Sequence, residues 1–146
     1  MSKILDKMNR YIALLVLFSC ITRIHAQELL IDSFILENKV VGYKNQKLIL
    51  IDFWATWCAP CGPATRQLEI LQEVVADKVY MISMSDEPTE KIIQYLSVKP
   101  IRLAVVSDMD NQSIARYNVF SRPYAVLMDY TGKKLWSGSP GDLTQK

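Results

Sequence analysis

Metal-binding side chains are scarce in this sequence of 146 residues, which has one histidine, His25, and three cysteines, Cys20, Cys58 and Cys61. Structural zinc normally takes four Cys or His ligands. Beyond residue 26 only Cys58 and Cys61 remain, so zinc is excluded and no metal or other cofactor is expected. Basic runs are missing too. The net charge of +2 arises in residues 1–26, where Lys3, Lys7, Arg10 and Arg23 face only Asp6; the rest holds 13 bases and 14 acids. With no basic stripe, a nucleic-acid partner has nothing to grip. The longest apolar run, Tyr11 to Phe18, is eight residues, against roughly 20 for a helix that crosses a bilayer. There is no internal repeat and no Pro/Gly-rich linker, which leaves one domain for a chain of this length. Half of the residues are hydrophobic and 22% are charged, as in a globular protein.

The apolar run has a second meaning. Lys3, Lys7 and Arg10 precede it, polar residues follow, and Ala26 closes the segment before Gln27. That is the layout of a signal peptide cleaved after Ala26. It predicts a signal segment over 1–26, a mature domain over 27–146, and an exported protein of the bacterial periplasm or cell envelope. Leu17-Phe18-Ser19-Cys20 also resembles a lipobox, which would make Cys20 a lipid anchor. The favoured reading discards Cys20 with the signal peptide, and under either reading it does no chemistry in the folded domain.

The remainder reads as alternating strands and helices. An edge strand is expected around Ser33–Val41. Leu48 to Phe53 is an apolar, β-branched run suited to a strand buried on both faces, interrupted only by Asp52. Ala64, Leu68, Leu71 and Val75 recur at helical spacing and predict a helix from the cysteines to about Val75, with Pro63 in its first turn. Val79–Met84 is a second buried strand. Thr89–Leu96 is a short helix with Ile92, Ile93 and Leu96 inward. Ile101–Val106 is a third strand, Asn111–Tyr117 a brief helix, and Tyr124–Met128 a fourth strand. Thr131-Gly132 then turns into a hairpin partner at Lys134–Trp136. The fold class is α/β, a central mixed β-sheet flanked by helices. Gly141-Asp142-Leu143 reads as the opening of a further helix just before Lys146, so a final helix is expected to be missing.

Cys58 and Cys61 stand where a buried strand gives way to a helix. A disulfide closing so short a loop removes little chain entropy, which argues for redox use over a structural role. Near a helix start, free backbone N–H groups and the helix dipole favour a thiolate on Cys58. Cys61, one turn inward, is placed to attack a mixed disulfide on Cys58. Trp57 offers a flat apolar shield beside the pair. Asp52, in an apolar strand, should carry a raised pKa and can pass protons to a resolving thiol; the alternative is an idle Asp at an exposed strand end.

The run Ile51-Asp52-Phe53-Trp54-Ala55-Thr56-Trp57-Cys58-Ala59-Pro60-Cys61-Gly62-Pro63, with Arg122-Pro123-Tyr124-Ala125-Val126-Leu127-Met128-Asp129 and Gly132, resembles the thioredoxin superfamily. It is most similar to its exported TlpA-like and ResA-like branch. The resemblance covers about residues 30–140 and implies a thioredoxin fold, a cis peptide at Pro123 facing the cysteines, and a buried carboxylate at Asp52 beneath Cys61. Cys58, Cys61 and Asp52 would be catalytic; Trp57, Pro60, Arg122 and Pro123 would meet the substrate. Three positions depart from the pattern. Ala64 replaces a glutamate of the ResA-like proteins, Gly62-Pro63 replaces a basic residue common among TlpA-like members, and Arg122 stands where Thr, Ile or Val is usual before the proline. Arg122 either faces the pair and stabilises a Cys58 thiolate or points to solvent.

The implied function is a thiol–disulfide oxidoreductase acting on disulfide-containing exported proteins, as a reductase, with cytochrome c maturation as one such task. A membrane or thioredoxin-type protein would donate its electrons. Two other classes compete. A peroxiredoxin-like peroxidase usually has Thr where Cys58 stands, and a non-enzymatic interaction module would have lost a cysteine of the pair.

Overall fold

A computed structural model of the chain describes residues 34–36 and 48–143. The signal segment, Cys20 and His25 lie outside the described residues. Among the described residues these strands and α-helices follow one another: β1 Phe34–Leu36, β2 Leu48–Phe53, α1 Cys61–Val75, β3 Val79–Ser85, α2 Thr89–Val98, β4 Ala104–Ser107, α3 Gln112–Tyr117, β5 Tyr124–Asp129 and β6 Lys134–Gly138. The strands form one mixed sheet in the order β1-β4-β3-β2-β5-β6. β2 pairs in parallel with β3 and antiparallel with β5, and β3 pairs in parallel with β4.

The two parallel steps move in the same direction across the sheet, from β2 to β3 to β4. Right-handed crossovers therefore put α1 and α2 on one face. Alternation along β2 sorts its residues between the two faces. Ile49, Ile51 and Phe53 join a core with Tyr117 of α3. Leu50 joins the opposite core, beneath α1 and α2, with Trp54, Cys58, Cys61, Leu68 and Ile92. Asp52 shares the parity of Leu50, so its carboxyl is directed to the helix-covered side that holds the cysteines.

The strand–helix alternation, the mixed sheet and the terminal hairpin match the fold expected from sequence. Three local differences have physical causes. Ile93 is exposed, because a ten-residue helix buries one stripe and Ile92, Tyr95 and Leu96 occupy it. The third apolar run joins the sheet only at Ala104. Four residues earlier Pro100 has no N–H to give, and the Arg102 amide is taken at 2.7 Å by the Glu69 carboxylate instead of a neighbouring strand. The expected helix opening at Gly141 is a single 3-10 turn over Pro140–Asp142, and residues 144–146 lie outside the described residues. Of the expected edge strand around Ser33–Val41, Phe34–Leu36 is described, antiparallel to β4. Among the described residues, no helix is long and apolar enough to cross a membrane.

Candidate active site

The polypeptide leaving β2 is guided into α1 by backbone hydrogen bonds. The Trp54 amide donates to Met84 O at 3.0 Å, extending the pairing with β3. The Cys58 amide then donates to Ala55 O at 3.0 Å and the Cys61 amide to Cys58 O at 3.1 Å. Cys58 and Cys61 are joined by a disulfide, with Cα atoms 5.3 Å apart. Cys58 is 7% exposed and Cys61 2%, so Cys58 is the more accessible residue of the pair, although both are buried. Pro60 is the N-cap residue of α1. Cys58 therefore precedes the cap by two residues, near the helix start as expected. Proline supplies no side-chain cap and the turn before it takes up the extra residues.

Asp52 is 1% exposed, which removes the reading of an exposed strand end. Its Oδ2 accepts hydrogen bonds from Thr65 Oγ1 at 2.9 Å and Ser83 Oγ at 3.1 Å; Oδ1 accepts none. Burial raises its pKa from 3.8 to about 6, with the two hydroxyl donors pulling back only part of the way.

Arg122 does not point to solvent. Its side chain is 13% exposed, its Nη2 lies 2.8 Å from Asp86 Oδ1, and its Cζ sits 5.7 Å from the centre of the Trp57 ring. The solvent-facing alternative is thereby overturned. The guanidinium faces the Trp57 ring in the loop that leads to the cysteines, with Asp86 as its counter-ion. Trp57 is 65% exposed and stacks on that guanidinium, presenting its ring outward. The Arg122–Pro123 peptide is cis, and Pro123 is half-buried. Phe53 pairs with Tyr124, so the antiparallel register brings Pro123 alongside the segment that leads to the cysteines. Pro60 is exposed. The structure thus places Trp57, Pro60, Arg122 and Pro123 in the loops at the sheet end where the cysteines stand.

Sequence reasoning missed four residues. Thr65 and Ser83 hold the buried carboxyl. Thr65 could have been found from its position four residues after Cys61 on one helix face; Ser83 is the cross-strand partner of Asp52, which only the strand register reveals. The others are Asp86, the partner of Arg122, and Glu87. The buried Glu87 carboxylate accepts from the amide and the hydroxyl of Thr56 and pairs with Lys91. A cavity of about 670 Å³ opens on the helix side of the pair, lined by Cys58, Cys61, Thr65, Glu69 and Lys99 among others. Among the described residues no cluster of three His, Cys, Asp or Glu side chains could hold a metal.

A joined Cys-x-x-Cys pair at a strand-to-helix turn, over a buried acid, can exchange its disulfide with an incoming thiolate and take up or release the accompanying proton. Comparison with known proteins agrees with this geometry. A family model described as Thioredoxin matches residues 35–128. Thioredoxin-like protein YneN of Bacillus subtilis is 32% identical over 90 residues, covering 59% of this chain and 52% of that protein. Thiol-disulfide oxidoreductase ResA of Bacillus cereus is 28% identical over 102 residues, covering 67% and 59%. The chain thus spans about half to three-fifths of the length of these curated relatives. A solved thiol-disulfide oxidoreductase from Bacteroides fragilis superposes with a TM-score of 0.58 at 22% identity over 71% of this chain and 84% of that one, a likeness of fold.

Proposed function

The chain belongs to the thioredoxin family, and from that premise we propose that it is a thiol–disulfide oxidoreductase working by dithiol exchange through Cys58 and Cys61. The observation that carries this reading is the Cys58–Cys61 disulfide at the turn from β2 into α1, on the side of the sheet to which the buried Asp52 is directed.

In the reducing direction, the Cys58 thiolate attacks one sulfur of a substrate disulfide. A mixed disulfide forms on Cys58 and the other substrate sulfur leaves as a thiolate. Cys61, once deprotonated, attacks the Cys58 sulfur, the mixed disulfide breaks, and the second substrate thiolate departs. Two electrons have passed to the substrate and the pair is left oxidised. Asp52 accepts the Cys61 proton, a task suited to a carboxyl whose pKa of about 6 lies close to neutrality. The exposed Trp57 ring and Pro123 offer apolar surface to the polypeptide around the substrate disulfide. A second dithiol protein, membrane-bound or thioredoxin-like, restores the reduced pair.

The layout of residues 1–26 supports export to the periplasm or cell envelope, where disulfides of exported proteins are the substrates. Resemblance to the TlpA-like and ResA-like branch supports a reductase, with reduction of apocytochrome c before haem attachment among its tasks. The decisive experiment is mixed-disulfide trapping. Cys61→Ser should accumulate covalent adducts with substrate proteins and Cys58→Ser should not; the opposite pattern would reverse the two roles, and adducts with neither would remove the reading. Equilibration with glutathione sets the direction, since family reductants lie near about −270 mV and oxidants near about −120 mV.

A further inference from the structure

The Asp52 carboxyl does not reach the cavity beside the cysteines by itself. It is buried, and the cavity wall is made by Cys58, Cys61, Thr65 and neighbouring side chains, without Asp52. Two hydroxyls contact it, and their surroundings differ. Ser83 is sealed within the sheet at 0% exposure and takes no part in the wall. Thr65 donates to Asp52 Oδ2 at 2.9 Å and also lines the cavity. It stands four residues after Cys61, about one helical turn away on the same face. A hydroxyl both donates and accepts, so it can pass its own proton to the carboxylate while its oxygen takes another from the cavity side.

We propose that Thr65 is the proton-relay residue connecting the buried Asp52 carboxyl to the cavity that holds the cysteine pair. The inference rests on the dithiol-exchange reading above. In the resolving step the Cys61 thiol gives up its proton, and its sulfur bonds to the Cys58 sulfur. The bond from Cys58 to the substrate sulfur breaks, and the substrate leaves with the electron pair. The Thr65 oxygen accepts the released proton, directly or from cavity solvent. The original hydroxyl proton moves to Asp52 Oδ2, which leaves Thr65 unchanged and Asp52 neutral. The reverse transfer later returns the proton to solvent.

No other group around the cavity is as well placed. Glu69 is the one carboxylate in the wall, and it is engaged with the Arg102 amide and with the Arg66 and Arg102 side chains. Arg66 and Lys99 are cations facing the same space, and Tyr95 contributes its ring from α2.

The test uses the reduced full-length protein and an aromatic disulfide reagent that releases a coloured thiolate at each step. The first release reports attack by Cys58, the second resolution by Cys61. In the wild type, the second rate should rise with pH through the titration of Asp52 to a plateau. Thr65→Val should lower that plateau about a hundredfold, the low end of what a positioned proton-transfer group contributes, and leave the first rate unchanged. Thr65→Ala should do the same, with a smaller side chain in case valine disturbs packing. Thr65→Ser should restore the plateau. Ser83→Ala should move the midpoint to higher pH, since its hydrogen bond favours the ionised acid, and keep the plateau. A wild-type plateau in both Thr65→Val and Thr65→Ala would overturn the relay and point to direct transfer between Cys61 and Asp52. Failure of the wild type to release the second thiolate would instead sink the dithiol reading, and the relay with it.

Discussion

Thr56 donates both its backbone amide and its hydroxyl to the carboxylate of Glu87, a residue 31 positions away. The contact ties the loop that carries Trp57 and Cys58 to the segment leaving β3. Lys91, one turn into α2, completes it as an ion pair. The preceding residue, Asp86, holds Arg122 next to the cis-proline. Two adjacent carboxylates therefore secure the two loops that frame the cysteine pair.

Loss of the first of these contacts should show in a pH-dependent stability difference. Burial disfavours the ionised Glu87, but hydrogen bonds from Lys91 and Thr56 outweigh it and hold the carboxyl below the usual glutamate range. A depressed pKa stabilises the fold above the unfolded value of 4.5 and ceases to do so as pH falls through the folded value. Glu87→Gln keeps one acceptor oxygen where the wild type has two charged ones. It should cost about 2 kcal/mol at pH 7, the range for hydrogen bonds to charged groups, and much less at pH 3. Urea denaturation of both proteins at the two pH values checks it; an equal cost at both would mean that the charge is not what matters.

What the sequence reveals about this site depends on how far each contact reaches along the chain. β2 and its one acidic residue are legible because an apolar, β-branched run has a single sensible reading, and an aspartate within it stands out. The cysteines are legible because the helix after them repeats its apolar residues at the right spacing. Thr65, Ser83, Asp86 and Glu87 are polar residues of ordinary appearance, and, near neighbours of Glu87 such as Lys91 apart, their partners lie 13 or more positions away. Only the register of β2 on β3 brings Ser83 opposite Asp52, and only the β2-β3-β4 order brings the end of β3 beside the cysteine loop. Arg122 is ambiguous for the same reason: nothing local indicates that Asp86, 36 residues earlier, will meet it. Ile93 misleads because two adjacent isoleucines fit one helical stripe equally well on paper, and the sheet accepts one.

The pairing of Arg122 with Asp86 gives opposite expectations for the two partners. Removing the cation in Arg122→Thr leaves an uncompensated anion near Trp57 and should raise the Cys58 pKa, making the protein more reducing. Asp86→Asn leaves the cation uncompensated and should lower the Cys58 pKa, making it more oxidising. The double variant should return close to wild type, because the pair contributes little net charge. Titration of thiolate absorbance, with glutathione equilibration of the same proteins, measures both quantities. If both single variants titrate as the wild type, the ion pair holds Trp57 and the proline loop in place and has no electrostatic effect on the cysteines.

Asp52 should destabilise the protein at the pH where it works. Its pKa is raised by burial from 3.8 to about 6, so between those values the folded state holds a proton that the unfolded chain has released. The stabilisation linked to that proton is full below pH 3.8 and is lost as pH rises through about 6. At pH 8 the loss amounts to about 3 kcal/mol. Asp52→Asn carries no ionisable group here, and its side-chain oxygen can still accept from Thr65 and Ser83. Whatever fixed cost the amide nitrogen adds is the same at every pH and cancels in the comparison. The stability of Asp52→Asn relative to wild type should therefore improve by about 2 kcal/mol between pH 4 and pH 8, while release of substrate through Cys61 slows. Denaturant melts of both proteins across that range read the first effect and the two-step disulfide assay reads the second. A stability difference that stays flat with pH would mean that Asp52 ionises as freely in the fold as in the unfolded chain, and the carboxyl would then have no proton to manage for Cys61.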